Sequence, residues 1–190
     1  MGRELQHDAV PQVPRSRSAD TRRDQPPAGQ PARGVVGQLL PLVPLAHHSG
    51  ARIVLKGQWR VLVIYCYPGG VYSPEDGYRS PGQDIAQHRA FAGRHDDFDA
   101  LNCRVVGVSS QGVELQRDTQ VGHLLLSDPQ LQLARQLKLP TFSVDRSDWY
   151  CRCLLIAVSG RVVHAVYPIG SPGQSAAHAV RWLRANATAR

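Results

Sequence analysis

The sequence predicts an α/β domain with a central mixed sheet, and three observations carry that expectation. Strand-like and helix-like segments alternate from residue 60 to residue 139, a hairpin pattern follows at 151–167, and an amphipathic helix closes the chain at 175–186. The first strong strand is RVLVIYCY (60–67), an unbroken apolar run. YPGG ends it, because proline removes a backbone donor and glycine frees the backbone to turn. Upstream, QLLPLVPL (38–45) reads as a buried edge segment ahead of the turn signal HHSGAR (47–52).

Residues 80–101 carry Ile85, Ala86, Ala90, Phe91, Phe98 and Leu101 mostly at helical spacing. Ser80 or Asp84 suits the cap and Pro81 the first turn. CRVVGVSS (103–110) is a second buried strand, 113–122 a short polar surface helix, and LLLSD (124–128) a short extended element. PQLQLARQLKL (129–139) starts with proline and repeats Leu131, Ala134 and Leu137, again a helix. CRCLLIAVSGRVVHAVY (151–167) is a β-hairpin turning at Ser159-Gly160. The last helix sets Ala179, Trp182 and Leu183 on or near one face. Composition alone leaves a flavodoxin-like sheet in competition, but the late hairpin argues against a purely parallel sheet. The order βαβαβ then ββα is that of a thioredoxin-like fold.

At 190 residues the chain suits one domain and a tail. Residues 1–37 are rich in Pro, Gln, Arg, Ser and Asp with little aliphatic periodicity. They cannot bury enough apolar area to offset ordering entropy, so a disordered tail is expected there and the folded domain at 38–190. No apolar run approaches the roughly 20 residues of a membrane span. Glu4 and Asp8 stand where a secretory leader has basic residues followed by an apolar stretch, so a cytoplasmic location with reduced thiols is expected. The formal charge is +7, yet the arginines are dispersed and no block of five like charges occurs. Neither nucleic acid nor a membrane is the expected partner.

Several segments resemble the peroxiredoxin family, in its alkyl hydroperoxide reductase and thiol-specific antioxidant branch: VLVIYCYPGG (61–70), VVGVSSQ (105–111), HLLLSDPQLQLARQLKLPTF (123–142) and CRCLLIAVSGRVVHAVYPI (151–169). The resemblance implies a helix that begins after the first long strand and presents a cysteine thiolate to a peroxide, surrounded by Pro, Thr or Ser, and an Arg from a distant strand. A helix N-terminus and a guanidinium both stabilise a thiolate. Here Pro68, Ser80-Pro81-Gly82 and Arg152 supply that frame, but no cysteine lies between Cys66 and Cys103. Gln83 takes the cysteine position if the Ser-Pro-x-Cys pattern sets the register, and Asp84 if the ungapped match through Phe91 to Gly107 does. The second cysteine of some members has His88 or Arg89 in its place. Reduction of peroxide through a sulfenic acid then lacks its nucleophile. A homodimer is also expected.

Asp84 and His88, four apart, share a helix face on which a carboxylate can orient an imidazole and raise its basicity. With Arg152 opposite, the pocket would hold an acid, a base and an anion anchor. The plainer reading makes Asp84 a carboxylate favoured by the helix dipole, His88 a partly exposed neighbour and Arg152 an ion pair with Asp84 or Glu75 that holds the loop. Tyr65, Tyr67, Tyr72 and Tyr78 cluster around the pocket loop, where Tyr72 or Tyr78 covers a small ligand or the tyrosines pack the loop 69–80. Cys151 and Cys153 flank Arg152 on an expected strand, with Cα atoms about 6.6 Å apart, near the limit for a disulfide. Cys66 lies mid-strand and Cys103 precedes a strand, without a visible activator. His47, His48 and His95 lack zinc-type spacing, and no metal or cofactor is expected.

Three functions follow. The first is cofactor-free acid/base chemistry on a small organic molecule, in a setting such as natural-product biosynthesis. Asp84 or His88 would be the base, Arg152 the anion stabiliser, and Gln83, Ser80, Tyr72, Tyr78 and Pro68 the substrate pocket. The second is a non-catalytic redoxin that binds a ligand or partner protein. The third is a thiol peroxidase using a displaced cysteine, Cys66 or Cys151.

Overall fold

A computed structural model describes residues 34–70, 80–117, 119, 121–144 and 146–186. Nine strands, β1 (Pro44–Ala46), β2 (Arg52–Val54), β3 (Val61–Cys66), β4 (Cys103–Ser109), β5 (Leu124–Ser127), β6 (Thr141–Val144), β7 (Ser147–Tyr150), β8 (Cys153–Val158) and β9 (Arg161–Val166), are joined by five helices among the described residues. These are α1 (Ser80–Ala92), α2 (His95–Ala100), α3 (Val113–Gln116), α4 (Gln132–Leu137) and α5 (Ser175–Ala185), the last preceded by a 3-10 turn at Pro172–Gln174.

Seven strands form one sheet in the order β2-β1-β5-β4-β3-β8-β9. β3, β4 and β5 run parallel, whereas β8, β9, β1 and β2 add antiparallel edges, so the sheet is mixed as the hairpin pattern required. The β8–β9 turn at Ser159-Gly160 has positive φ at both residues, the twist that suits a two-residue hairpin loop. β6 and β7 form a separate hairpin, which the sequence reading did not anticipate.

β3 is buried at every position, and its alternation divides the core in two. Leu62, Ile64 and Cys66 face one side, with Leu133, Ala134 and Leu137 of α4. Val61, Val63 and Tyr65, followed by Tyr67, face the other, with Phe91 of α1, Phe98 of α2 and Ala176, Ala179, Val180 and Leu183 of α5. Each buried aliphatic side chain contributes about 1.5–3 kcal/mol, so this two-sided burial makes β3 the fixed centre of the sheet.

Several boundaries depart from expectation for local reasons. The helix expected over 80–101 breaks after Ala92, where Gly93 and Arg94 donate their N–H groups back to Arg89 and Phe91. The segment expected at the sheet edge supplies β1, which has β2 on one side and β5 on the other, so β2 is the edge. The hairpin begins at Cys153, which puts Cys151 and Arg152 ahead of the strand and not on it. Of the expected tail, residues 1–33 lie outside the described residues, while Val35 is buried and Gly37 donates to the Val162 carbonyl of β9. Among the described residues no helix is long and apolar enough to cross a membrane.

α4 lacks a capping residue at its immediate start, where Leu131 sits in the left-handed region. Asp128 does that work from a distance. Its Oδ1 accepts from Gln132 N–H at 2.9 Å, and its Oδ2 from Leu133 N–H at 2.9 Å and from the Tyr150 hydroxyl at 2.7 Å. A buried carboxylate thereby ties α4 to β7. Asp128→Ala strands three donors, two of them at a helix end, and is expected to lower stability by about 3 kcal/mol. Urea unfolding followed by circular dichroism measures this, and a loss below about 0.5 kcal/mol would contradict it.

Candidate functional site

The site is built where the end of β3 meets the first turns of α1. After Tyr67 the chain turns through buried Pro68 and then Gly69-Gly70, both at positive φ. Gly70 uses that backbone freedom to aim its N–H at Asp84, donating to Oδ2 at 2.6 Å. The other carboxylate oxygen, Oδ1, lies 2.6 Å from Nη1 of Arg152. Arg152 is 1% exposed, the largest fully buried side chain among the described residues, and also donates to Oε1 of Gln87 at 3.1 Å. Gln87 in turn donates to the Ser175 hydroxyl at 3.4 Å, and Ser175 donates to the Pro172 carbonyl at 2.6 Å. A polar thread thus runs from the β3 turn through the guanidinium to the start of α5.

Two of the expected site residues therefore meet directly, Asp84 and Arg152. Gln83, one position earlier, is half-buried while Asp84 is buried. Ser80 opens α1, and its side chain lies outside the described residues, as do Tyr72 and Tyr78. His88 corrects the expected dyad. It is 7% exposed, not a surface neighbour, and its Nδ1 faces the Tyr65 hydroxyl at 2.8 Å. Nor is its basicity raised: desolvation first, then the nearby His123 and Arg152 charges, lower its pKa to about 4.

Tyr65 bridges two histidines, because its hydroxyl also lies 2.8 Å from Nε2 of His123. One phenolic proton serves two ring nitrogens, so the hydroxyl donates to one ring and accepts an N–H from the other. Burial likewise brings His123 down to about 4. Desolvation, with the charges of Tyr67 and Asp84, pushes the Tyr65 phenol well above its usual range. The array is uncharged near neutral pH.

Gly107 makes room for it. The residue pairs with Tyr65 across β3 and β4, and a Cβ there would lie 2.7 Å from the Tyr65 ring and 2.6 Å from Leu125. The freed space lets the ring stack on Phe91, with centroids 4.4 Å apart and planes 8° apart. Gln87, Gly70 and His123 are the participants that sequence reasoning missed, and Tyr65, expected only near the pocket loop, bridges the two histidines. A tyrosine with a polar tip in an otherwise apolar strand was the available signal.

The four thiols stand elsewhere: Cys66 ends β3, Cys103 opens β4, Cys151 precedes β8 and Cys153 opens it. All are buried. Cys66 and Cys153 are direct cross-strand partners, on the face opposite Tyr65. A hydrogen bond with Cys153 and complete burial raise the Cys66 thiol well above its ordinary pKa. That is the reverse of what activates a cysteine.

No family model and no curated protein matches the chain. Solved structures do. Peroxidoxin BcpB from Mycobacterium tuberculosis superposes with a TM-score of 0.65 at 18% identity, covering 79% of this chain and 96% of that one. A cysteine mutant of PrxQ from Xylella fastidiosa gives 0.65 at 20% identity, with coverage of 80% and 96%. Peroxiredoxin Q of Xanthomonas campestris gives 0.62 at 21% identity, with coverage of 76% and 92%. Together with the seven-stranded mixed sheet and its flanking helices, these likenesses establish that the chain has a peroxiredoxin-like, thioredoxin-type fold.

Proposed function

We propose that this chain is a redoxin that binds a ligand or partner without reducing peroxides, with Asp84 filling the place a thiolate takes in peroxiredoxins. The observation that carries the reading is the closure of the Asp84 carboxylate, one oxygen on Arg152 and the other on Gly70 N–H, each at 2.6 Å. The guanidinium that would steady a thiolate and an incoming oxidant is already neutralised by an acceptor from within the chain. A carboxylate satisfies the same donors as a thiolate, but it has no lone pair soft enough to attack a peroxide O–O bond. The buried, high-pKa thiol of Cys66 makes it a poor substitute nucleophile.

A second reading, acid/base chemistry on a small organic molecule, draws support from the His88–Tyr65–His123 array. Two neutral imidazoles joined by a hydroxyl can pass a proton. His88, not Asp84, is the base in that version, because the carboxylate is held by the guanidinium.

Hydrogen peroxide with a sulfenic-acid trap, followed by mass spectrometry of the intact chain, tests the main reading. No rapid adduct is expected on any of the four cysteines, and a fast one would overturn it. Asp84→Cys should gain an adduct, since the new thiol would meet the guanidinium and the Gly70 N–H, whereas Gln83→Cys should not. The reverse pattern would assign the cysteine position to Gln83.

Acidification should destabilise the fold in a defined window. In an unfolded chain histidine titrates near 6.5, while His88 and His123 titrate at about 4 in the native state. Between these values the unfolded chain binds more protons, so stability rises with pH there. The contribution is complete above about pH 6.5 and is lost as the pH falls towards 4, by up to about 1.4 kcal/mol per pH unit for each histidine. Urea titrations between pH 7 and 4.5 read the slope. His88→Gln should lower the slope by that histidine's share while His123 and His164, also brought down to about 4 by burial, keep the rest, and an unchanged slope would refute the assignment.

A further inference from the structure

We infer that the cleft between β8, β9 and the start of α5 is a binding site for a small organic carboxylate. Its volume is about 250 Å³, just under the roughly 300–1,000 Å³ of pockets for drug-sized ligands, which sets a fragment-sized occupant. The floor is apolar, made by Leu154, Val166 and Ile169. The rim is polar, with Ser171 and Gln174 exposed at the amino end of α5 and Arg181 two turns further along.

Charge decides the class of ligand. Arg181 is the one cation among the described lining residues, and none of those residues is acidic. His178, also in the lining, has its Nε2 3.0 Å from Nε2 of His164, so at least one ring of that pair is an uncharged acceptor. A guanidinium offers two parallel N–H donors that match the two oxygens of a carboxylate. An apolar body would lie on the Leu154, Val166 and Ile169 floor while the carboxylate meets Arg181 at the rim.

The cleft is also wired to the buried ion pair. Ser175 lines it and receives a hydrogen bond from Gln87, which accepts one from Arg152, which holds Asp84. Occupancy at the start of α5 therefore bears on the residue that positions the central guanidinium. The inference rests on the reading of the chain as a binding redoxin and names its ligand class. The peroxide-trapping result stands or falls separately.

Titration of the full chain with phenylacetate, followed by NMR shifts of the backbone amides of residues 169–182, provides the test. Saturable binding with a dissociation constant of about 1 mM or tighter is expected. Neutral phenylacetamide should bind at least tenfold more weakly. Arg181→Gln should weaken phenylacetate at least tenfold, and Arg181→Lys should recover part of that loss. Arg181 is exposed, so these variants keep the fold. Equal binding of acid and amide, an unaffected Arg181→Gln variant, shifts confined to residues outside the cleft, or no saturable shift would each overturn the proposal.

Discussion

A guanidinium excluded from water must be compensated where it lies, and Arg152 imposes that demand on everything around it. Removing one partner of such a buried pair commonly costs about 3–5 kcal/mol, because the remaining charge is left without solvent. The chain meets the demand from three directions. α1 brings Asp84 and Gln87, the turn after β3 brings an N–H to brace the carboxylate, and the start of α5 steadies Gln87 through Ser175. These elements are far apart in sequence, so the ion pair fixes how α1 and α5 sit at one end of the sheet. A low-dielectric interior strengthens such a network only when every member is satisfied.

Beside that charged cluster lies an uncharged one. The His88–Tyr65–His123 bridge shares α1 with Asp84, yet burial keeps its imidazoles neutral while the neighbouring carboxylate is matched to a cation. Two adjoining polar groups are thus separated by what they face: a full positive charge on one side, aromatic rings and a hydroxyl on the other. Phe91 and Tyr67 complete the aromatic lining, with the Tyr67 and His88 rings edge to face at 4.6 Å.

Much of this was legible in the sequence. β3, β4, β8 and β9 are apolar runs bounded by turns, and burial of such runs leaves little choice but a central sheet with helices on both faces. The resemblance set Arg152 near the start of α1 but left Gln83 or Asp84 facing it and Asp84 or Glu75 as its ion-pair partner; the structure pairs it with Asp84, and Glu75 lies outside the described residues. The partner of His88 was not legible, because it depends on the β3–β4 register that sets Gly107 opposite Tyr65, and on His123, which is 35 positions further along the chain. The β6–β7 hairpin was missed for a different reason. Its strands are four residues each, and Tyr150 is the one buried position among the eight, so they give only a faint apolar signal. The split between α1 and α2 had a visible signal in Gly93, outweighed by the periodicity on either side.

The placement of the sulfur atoms has a consequence for how the protein meets an oxidising surrounding. Cys66, Cys103, Cys151 and Cys153 are each at most 5% exposed, three of them with β-strand neighbours covering the backbone. Modification of any one must wait for the surrounding layer to open, so the rate at which a reagent attacks an accessible thiol is scaled down by the local opening equilibrium. Within this peroxiredoxin-like fold the four sulfur atoms are thereby packed away from solvent-borne oxidants.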